Sequence, residues 1–204
     1  SSRRRHTRYI SVTGVQTCAL PISTRPVFLL LVVFVLLGAV GYRSLTSTSS
    51  AADTGPVGDG ELPDGTSVYD DTHAGVTELD PDLLRALRRA ARAAVDDDVD
   101  VVVNSGWRSR SYQQRLLDEA VATYGSREEA ARWVSTPDSS PHVSGDAVDI
   151  GPARAAAWLG TYGAQFGLCR IYDNEPWHFE LRPKAVDDGC PPRYADPTHD
   201  PRNR

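Results

Sequence analysis

The first 45 residues contain no aspartate or glutamate, although they carry six arginines (Arg3, Arg4, Arg5, Arg8, Arg25 and Arg43). The rest of the chain holds 16 basic residues against all 27 acidic ones, a net charge of −11. Such a body lacks the basic face that phosphate binding needs, which argues against nucleic acid as a partner. No cysteines stand at the CxxC spacing of a structural zinc site, and no internal repeat is present. Disorder throughout is also excluded, because 40% of the residues are hydrophobic and 24% charged, an ordinary globular balance.

One stretch lacks charge altogether. Residues 27–42 read VFLLLVVFVLLGAVGY and follow Arg25 and the N-terminal arginines. This asymmetry puts the N-terminus in the cytoplasm and the body outside. The run is shorter than the ~20 residues of a comfortable span. An uncleaved anchor is expected, with a cleaved signal sequence as the alternative and Ser50-Ala51-Ala52 as a weak cleavage site. Residues 3–22, and above all TGVQTCALPI at 13–22, resemble translated sequencing-library adapter, which would put the true start near residues 23–27. The expected organisation is a cytoplasmic segment 1–25, an anchor or signal 26–43, and a Ser/Thr/Gly/Ala-rich linker 44–60. A folded domain 61–190 and a disordered Pro/Asp/Arg-rich tail 191–204 complete it. Setting Cys18 aside, Cys169 and Cys190 form an even pair in an exported domain and read as a disulfide, with two buried thiols as the alternative.

Within the body, Asp80-Pro81 reads as a helix start, and Leu83, Leu87, Ala91 and Ala94 continue as a helical stripe. Residues 99–104 (VDVVVN) read as a strand and 111–123 as a helix. Ser126 with Glu129 forms a capping box for a helix to about Val134. Strands are expected at 145–150, 168–172 and 177–181, and a helix at 153–166 ended by Gly167. The mixture predicts an α+β fold, with helices packed on a small antiparallel sheet.

Three segments carry chemistry: Ser105-Gly106-Trp107-Arg108-Ser109, the stretch from Ser140 through His142 to Asp149, and Glu175-Pro176-Trp177-His178. A hydrolytic zinc site wants three ligands from His, Asp or Glu and one open position. His142, Asp149 and His178 supply that set and leave a bound Zn2+ at net +1, acidic enough to lower the pKa of water. Cobalt or manganese would also be accepted. Glu175, three residues before a ligand, is the natural general base. Arg108 follows a strand and a turn, where its forked guanidinium suits a substrate carboxylate or an oxyanion. Trp107 and Trp177 are expected to be at least partly buried, and His73 and His199 are read as surface or capping residues.

The motifs Ser140-x-His142-x-x-Gly145-x-Ala147-x-Asp149 and Glu175-Pro-Trp-His178-Phe179 resemble the VanY-type D-alanyl-D-alanine carboxypeptidases, a family of zinc peptidases. Ser105-Gly106-Trp107-Arg108-Ser109 is similar to that family's SGYRS-like segment, with Trp in place of Tyr. The resemblance spans roughly residues 62–183. It implies a Hedgehog/DD-peptidase-like α+β fold, one zinc on His142, Asp149 and His178, and Glu175 as base. It assigns Arg108 to the transition state, and Gln113 and Ser140 to the substrate's terminal D-residue, with the adjacent Gln114 as the alternative amide. The implied substrate is a peptidoglycan stem peptide ending in D-Ala; the apolar run of residues 27–42 is expected to hold the chain at the cell membrane, and a monomer is expected. The segment between Phe166 and Glu175 is shorter than in many relatives, which leaves LD-carboxypeptidase, endopeptidase and non-catalytic binding as alternatives.

Overall fold

The computed structural model describes residues 58–203. The expected cytoplasmic segment, the apolar run and most of the linker lie outside the described residues. Among the described residues no helix is long and apolar enough to cross a membrane.

After a single turn, α1 (Ala74–Thr77), the Asp80 carboxylate accepts hydrogen bonds from the N–H groups of Asp82 and Leu83 at 2.9 and 3.0 Å. With Pro81 needing no N–H partner, α2 (Pro81–Ala94) starts there and buries Leu83, Leu87, Ala90, Ala91 and Ala94. Strand β1 (Val102–Ser105) and helix α3 (Arg110–Tyr124) follow, the latter capped by Ser109 and ended by Gly125. The capping box of Ser126 starts only one helical turn, α4 (Arg127–Ala130). The N–H groups of Trp133 and Val134 both return to the Ala130 carbonyl, so the expected helix to 134 closes as turns. Then come β2 (Ala147–Gly151), α5 (Ala153–Tyr162), β3 (Leu168–Arg170), β4 (His178–Leu181) and α6 (Ala185–Asp188). A 3-10 turn over Gly163–Phe166 extends α5 to Gly167, whose φ of 79° ends it as expected.

The four strands form one antiparallel sheet in the order β1-β2-β4-β3, so the fold is α+β. Val103, Val148, Ile150, Leu168 and Phe179 join the main core with α2 and α5. Strand alternation turns Asp149 and His178 to the opposite face, where they stand directly across the β2–β4 ladder from each other. A one-residue slip would drive both into the apolar core, so core packing fixes the register of the site.

Two expectations about the C-terminal part have different outcomes. Cys169 and Cys190 are bonded, tying β3 to the chain beyond α6. The tail, expected to be disordered, is folded through Asn203: Tyr194 bridges Tyr172, and two 3-10 turns follow at Pro197–His199 and Pro201–Asn203. Its Pro, Asp and Arg content is no measure of disorder here, because Asp196 and Asp200 are buried and paired with Arg132 and Arg202.

Candidate metal centre

The site is assembled by three chain segments that converge on the open face of the sheet. Gly106 ends β1, and a Cβ there would lie 1.9 Å from the Gly75 carbonyl. This close approach lets the Gly106 carbonyl accept a hydrogen bond from His142 Nδ1 at 2.8 Å. The Arg108 N–H donates to the His142 carbonyl at 3.0 Å. Gly145 adopts φ +80°, and a Cβ there would meet the Glu78 carbonyl at 2.5 Å. Only glycine allows the loop from Ser140 to dock at the start of α2 and still enter β2 two residues before Asp149.

Because His142 Nδ1 carries the proton given to Gly106, its Nε2 is left with a lone pair. His178 is held the other way round: Nε2 donates to Glu180 Oε1 at 3.2 Å, leaving Nδ1 to face the site. His142 Nε2, His178 Nδ1 and Asp149 Oδ1 form a triangle with sides of 3.3, 3.4 and 3.5 Å. Tetrahedral ligands about 2.0–2.1 Å from one ion stand about 3.3–3.4 Å apart, so the triangle fits zinc without adjustment. Asp149 Oδ1 is buried and makes no hydrogen bond among the described residues, which suits an atom that faces a cation.

The electrostatics agree. Burial alone would raise the Asp149 carboxyl, but His142, His178 and Arg108 outweigh it and hold it well below the usual carboxylate range. Burial, with the Arg108 charge, lowers His142. Burial also pushes His178 down, yet Asp149 and Glu180 on either side of the ring raise it to about 9. A metal bound by these three atoms would compete with the proton that Asp149 and Glu180 favour on His178. Burial pushes the Glu175 carboxyl up to about 7; its Oε2 lies 3.5 Å from His178 Nδ1 and its Oε1 is buried without a partner among the described residues.

The other expected site residues line the same cleft. Arg108 donates to Ser105 Oγ at 2.7 Å, to Gln113 Oε1 at 3.2 Å and to Asp149 Oδ2 at 2.6 Å. Its visible work is thus to hold the carboxylate whose other oxygen faces the metal position. Gln113 is buried and passes its amide N–H to the Ser135 carbonyl at 2.8 Å, whereas Gln114 is half-buried and bonds Asp118. Ser140 is buried in the cleft wall, and its hydroxyl makes no hydrogen bond among the described residues.

Trp107 is half-buried, whereas Trp177 is more open than expected, at 39% exposure. His73 and His199 stand away from the site beside Asp70 and Asp196. Trp133 and Pro197, absent from the sequence reading, also form the cleft wall. Nothing near them in sequence marked them, because one follows a truncated helix and the other lies in the tail. A larger cavity of about 740 Å³ lies between α5 and Trp177, but no imidazole or carboxylate lines it.

A buried His-Asp-His triangle with an adjacent buried glutamate, set on the open face of an antiparallel sheet, defines a metallohydrolase-type centre. Residues 76–184, more than half of the chain, match the family VanY, D-alanyl-D-alanine carboxypeptidase, and the chain belongs to that family. A D-alanyl-D-alanine carboxypeptidase of Enterococcus faecalis (strain ATCC 700802 / V583) is 35% identical over 121 residues, covering 47% of this chain and 44% of the relative. The chain therefore spans less than half the length of that relative. Among solved structures, VanYB in complex with D-alanine-D-alanine is similar at a TM-score of 0.51 and 29% identity, over 54% of this chain and 74% of the other. The LdcB LD-carboxypeptidase shares the fold at a TM-score of 0.50 and 21% identity, over 64% of this chain and 72% of the other.

Proposed function

We propose that this protein is a zinc-dependent D-alanyl-D-alanine carboxypeptidase that removes the terminal D-Ala from peptidoglycan stem peptides. The observation that carries the reading is the triangle of His142 Nε2, Asp149 Oδ1 and His178 Nδ1 with the buried Glu175 beside it. One zinc would be held by these three atoms, lowering the pKa of water and polarising the scissile carbonyl. Glu175 is the group that takes the proton of the attacking water and returns it to the departing D-Ala amine. Its raised carboxyl suits that exchange near neutral pH, and a cation beside it draws the value down again. Arg108 holds Asp149 in place and presents the remaining face of its guanidinium to the cleft, where carbonyl charge builds up. Ser140, with a free hydroxyl, is the wall residue suited to a substrate carboxylate, and Gln113 keeps Arg108 aligned.

The N-terminal arginines and the apolar run of residues 27–42 support an anchored, extracytoplasmic placement. Peptidoglycan lies on that side of the membrane. A monomer suffices, since one chain supplies every group named.

The test is incubation of the purified, zinc-loaded chain with defined stem pentapeptide and tetrapeptide, followed by product masses. Loss of a single D-Ala from the pentapeptide is the expected result. Cleavage of the tetrapeptide alone would assign an LD-carboxypeptidase, an internal cut an endopeptidase, and no product a binding module.

A further inference from the structure

Glu180 is buried to 1% exposure on the same sheet face as His178, two residues further along β4. A buried carboxylate needs charge partners, and two arginines supply them. Arg182 donates to Oε2 at 2.5 Å. Arg202 donates to Oε2 at 2.6 Å and to Oε1 at 3.2 Å. Oε1 is also the atom that accepts the His178 Nε2–H at 3.2 Å. Arg202 is itself held by Asp200, which is fully buried and accepts a hydrogen bond from the Tyr172 hydroxyl at 3.1 Å. The Tyr172 ring packs on the His178 ring, with centroids 5.0 Å apart.

Arg182 alone would grip one oxygen and leave the carboxylate free to turn about its last torsion, which has a broad profile. The fork of Arg202 across both oxygens fixes the plane. That plane sets the direction of the His178 Nε2–H bond and, through the rigid ring, where Nδ1 points. Arg202 and Asp200 lie beyond residue 184, where the family match ends, so this support comes from the chain's own tail.

We propose that the C-terminal segment is a working part of the metal centre: Arg202 positions Glu180, and through it the His178 ring, for metal binding. The proposal rests on the zinc reading above. Arg202 touches neither metal nor substrate and is a positioning residue.

The experiment compares zinc affinity, by chelator competition, in the purified full-length chain and in Arg202→Ala, Arg202→Lys and Arg193→Ala. Arg193 ties the same tail to Asp173 at 2.5 Å and has no bond to Glu180, so it controls for loose docking. Loss of an outer partner of a ligand typically weakens metal binding about 10–100-fold, the drop expected for Arg202→Ala. Arg202→Lys should recover part of it, Arg193→Ala should bind as wild type, and the visible spectrum of the cobalt-loaded Arg202→Ala chain should shift. Should the alanine variant fail to fold, Arg202→Gln takes its place with the same expectation. Unchanged affinity and spectrum would overturn the proposal and leave the zinc reading standing. Equal weakening in Arg193→Ala would overturn it in favour of simple docking. A wild-type chain that binds no zinc would remove both.

Discussion

Replacing Glu175 by glutamine should slow catalysis sharply and, in the metal-free chain, change how stability depends on pH. In the folded chain, burial raises this carboxyl from 4.5 to about 7. The sign follows from where the proton is held. Below pH 4.5 both folded and unfolded states carry it, and the group adds no pH dependence. Between about 4.5 and 7 the unfolded chain ionises while the folded chain does not, so stability falls as pH rises. Above 7 the loss is complete. A shift of about 2.5 units at about 1.36 kcal/mol each amounts to about 3 kcal/mol.

Glu175→Gln removes this term and also the Glu175 charge that helps raise His178, 3.5 Å away, so the two titrations shift together. Whatever burial of the amide costs, that cost is the same at all pH values. The stability difference between variant and wild type should therefore move by about 3 kcal/mol in the variant's favour from pH 4 to pH 8. With a urea m-value of about 2 kcal/mol/M, the midpoints should separate by about 1.5 M more at pH 8 than at pH 4. The assay is urea unfolding of chelator-treated wild type and variant at both pH values. The same variant, zinc-loaded, should lose at least about 10²-fold in hydrolysis with zinc still bound. Stability differences that do not change between pH 4 and pH 8 would refute the burial argument, and retained hydrolysis would refute the role as base.

Reducing the Cys169–Cys190 bond, which closes a sequence separation of 21, should cost about 3 kcal/mol by the loop-entropy relation, read as a lower urea midpoint with reductant. Burial opposes ionisation of Asp196, but Thr198, His199 and Arg132 lower it to about 2, so its contribution is present above about pH 4 and lost as pH falls towards 2. Asp196→Asn should accordingly flatten acid unfolding over that range, measured by circular dichroism. Gly145→Ala places a Cβ against the Glu78 carbonyl at positive φ and should destabilise the chain by at least about 1–2 kcal/mol, with weaker zinc binding.

That His142, Asp149 and His178 cluster is legible because few residue types bind zinc and the strand pattern around Asp149 and His178 sends both to the polar face. The Asp80 cap and the α2 stripe were equally plain, since a local hydrogen bond and a 3.6-residue period are written in adjacent residues. What escaped was set by distant partners. α4 stops after one turn because the chain bends back towards the cleft with Trp133. The tail reads as solvent-loving, yet its charges are satisfied by Glu180, Arg132 and Tyr172, which no local pattern reveals. Arg108 was read as reaching for substrate, and its strongest bond is to Asp149, a partner 41 residues away. Long-range pairing of charges is the part of a fold that composition describes least.

The central claim is that His142 Nε2, Asp149 Oδ1 and His178 Nδ1 hold one zinc. Anomalous diffraction at the zinc edge, from crystals of the zinc-loaded chain, tests it most directly. One strong peak per chain is expected, at about 2.0–2.2 Å from each of the three atoms. No peak there, or a peak held by His73 or His199 instead, would contradict it.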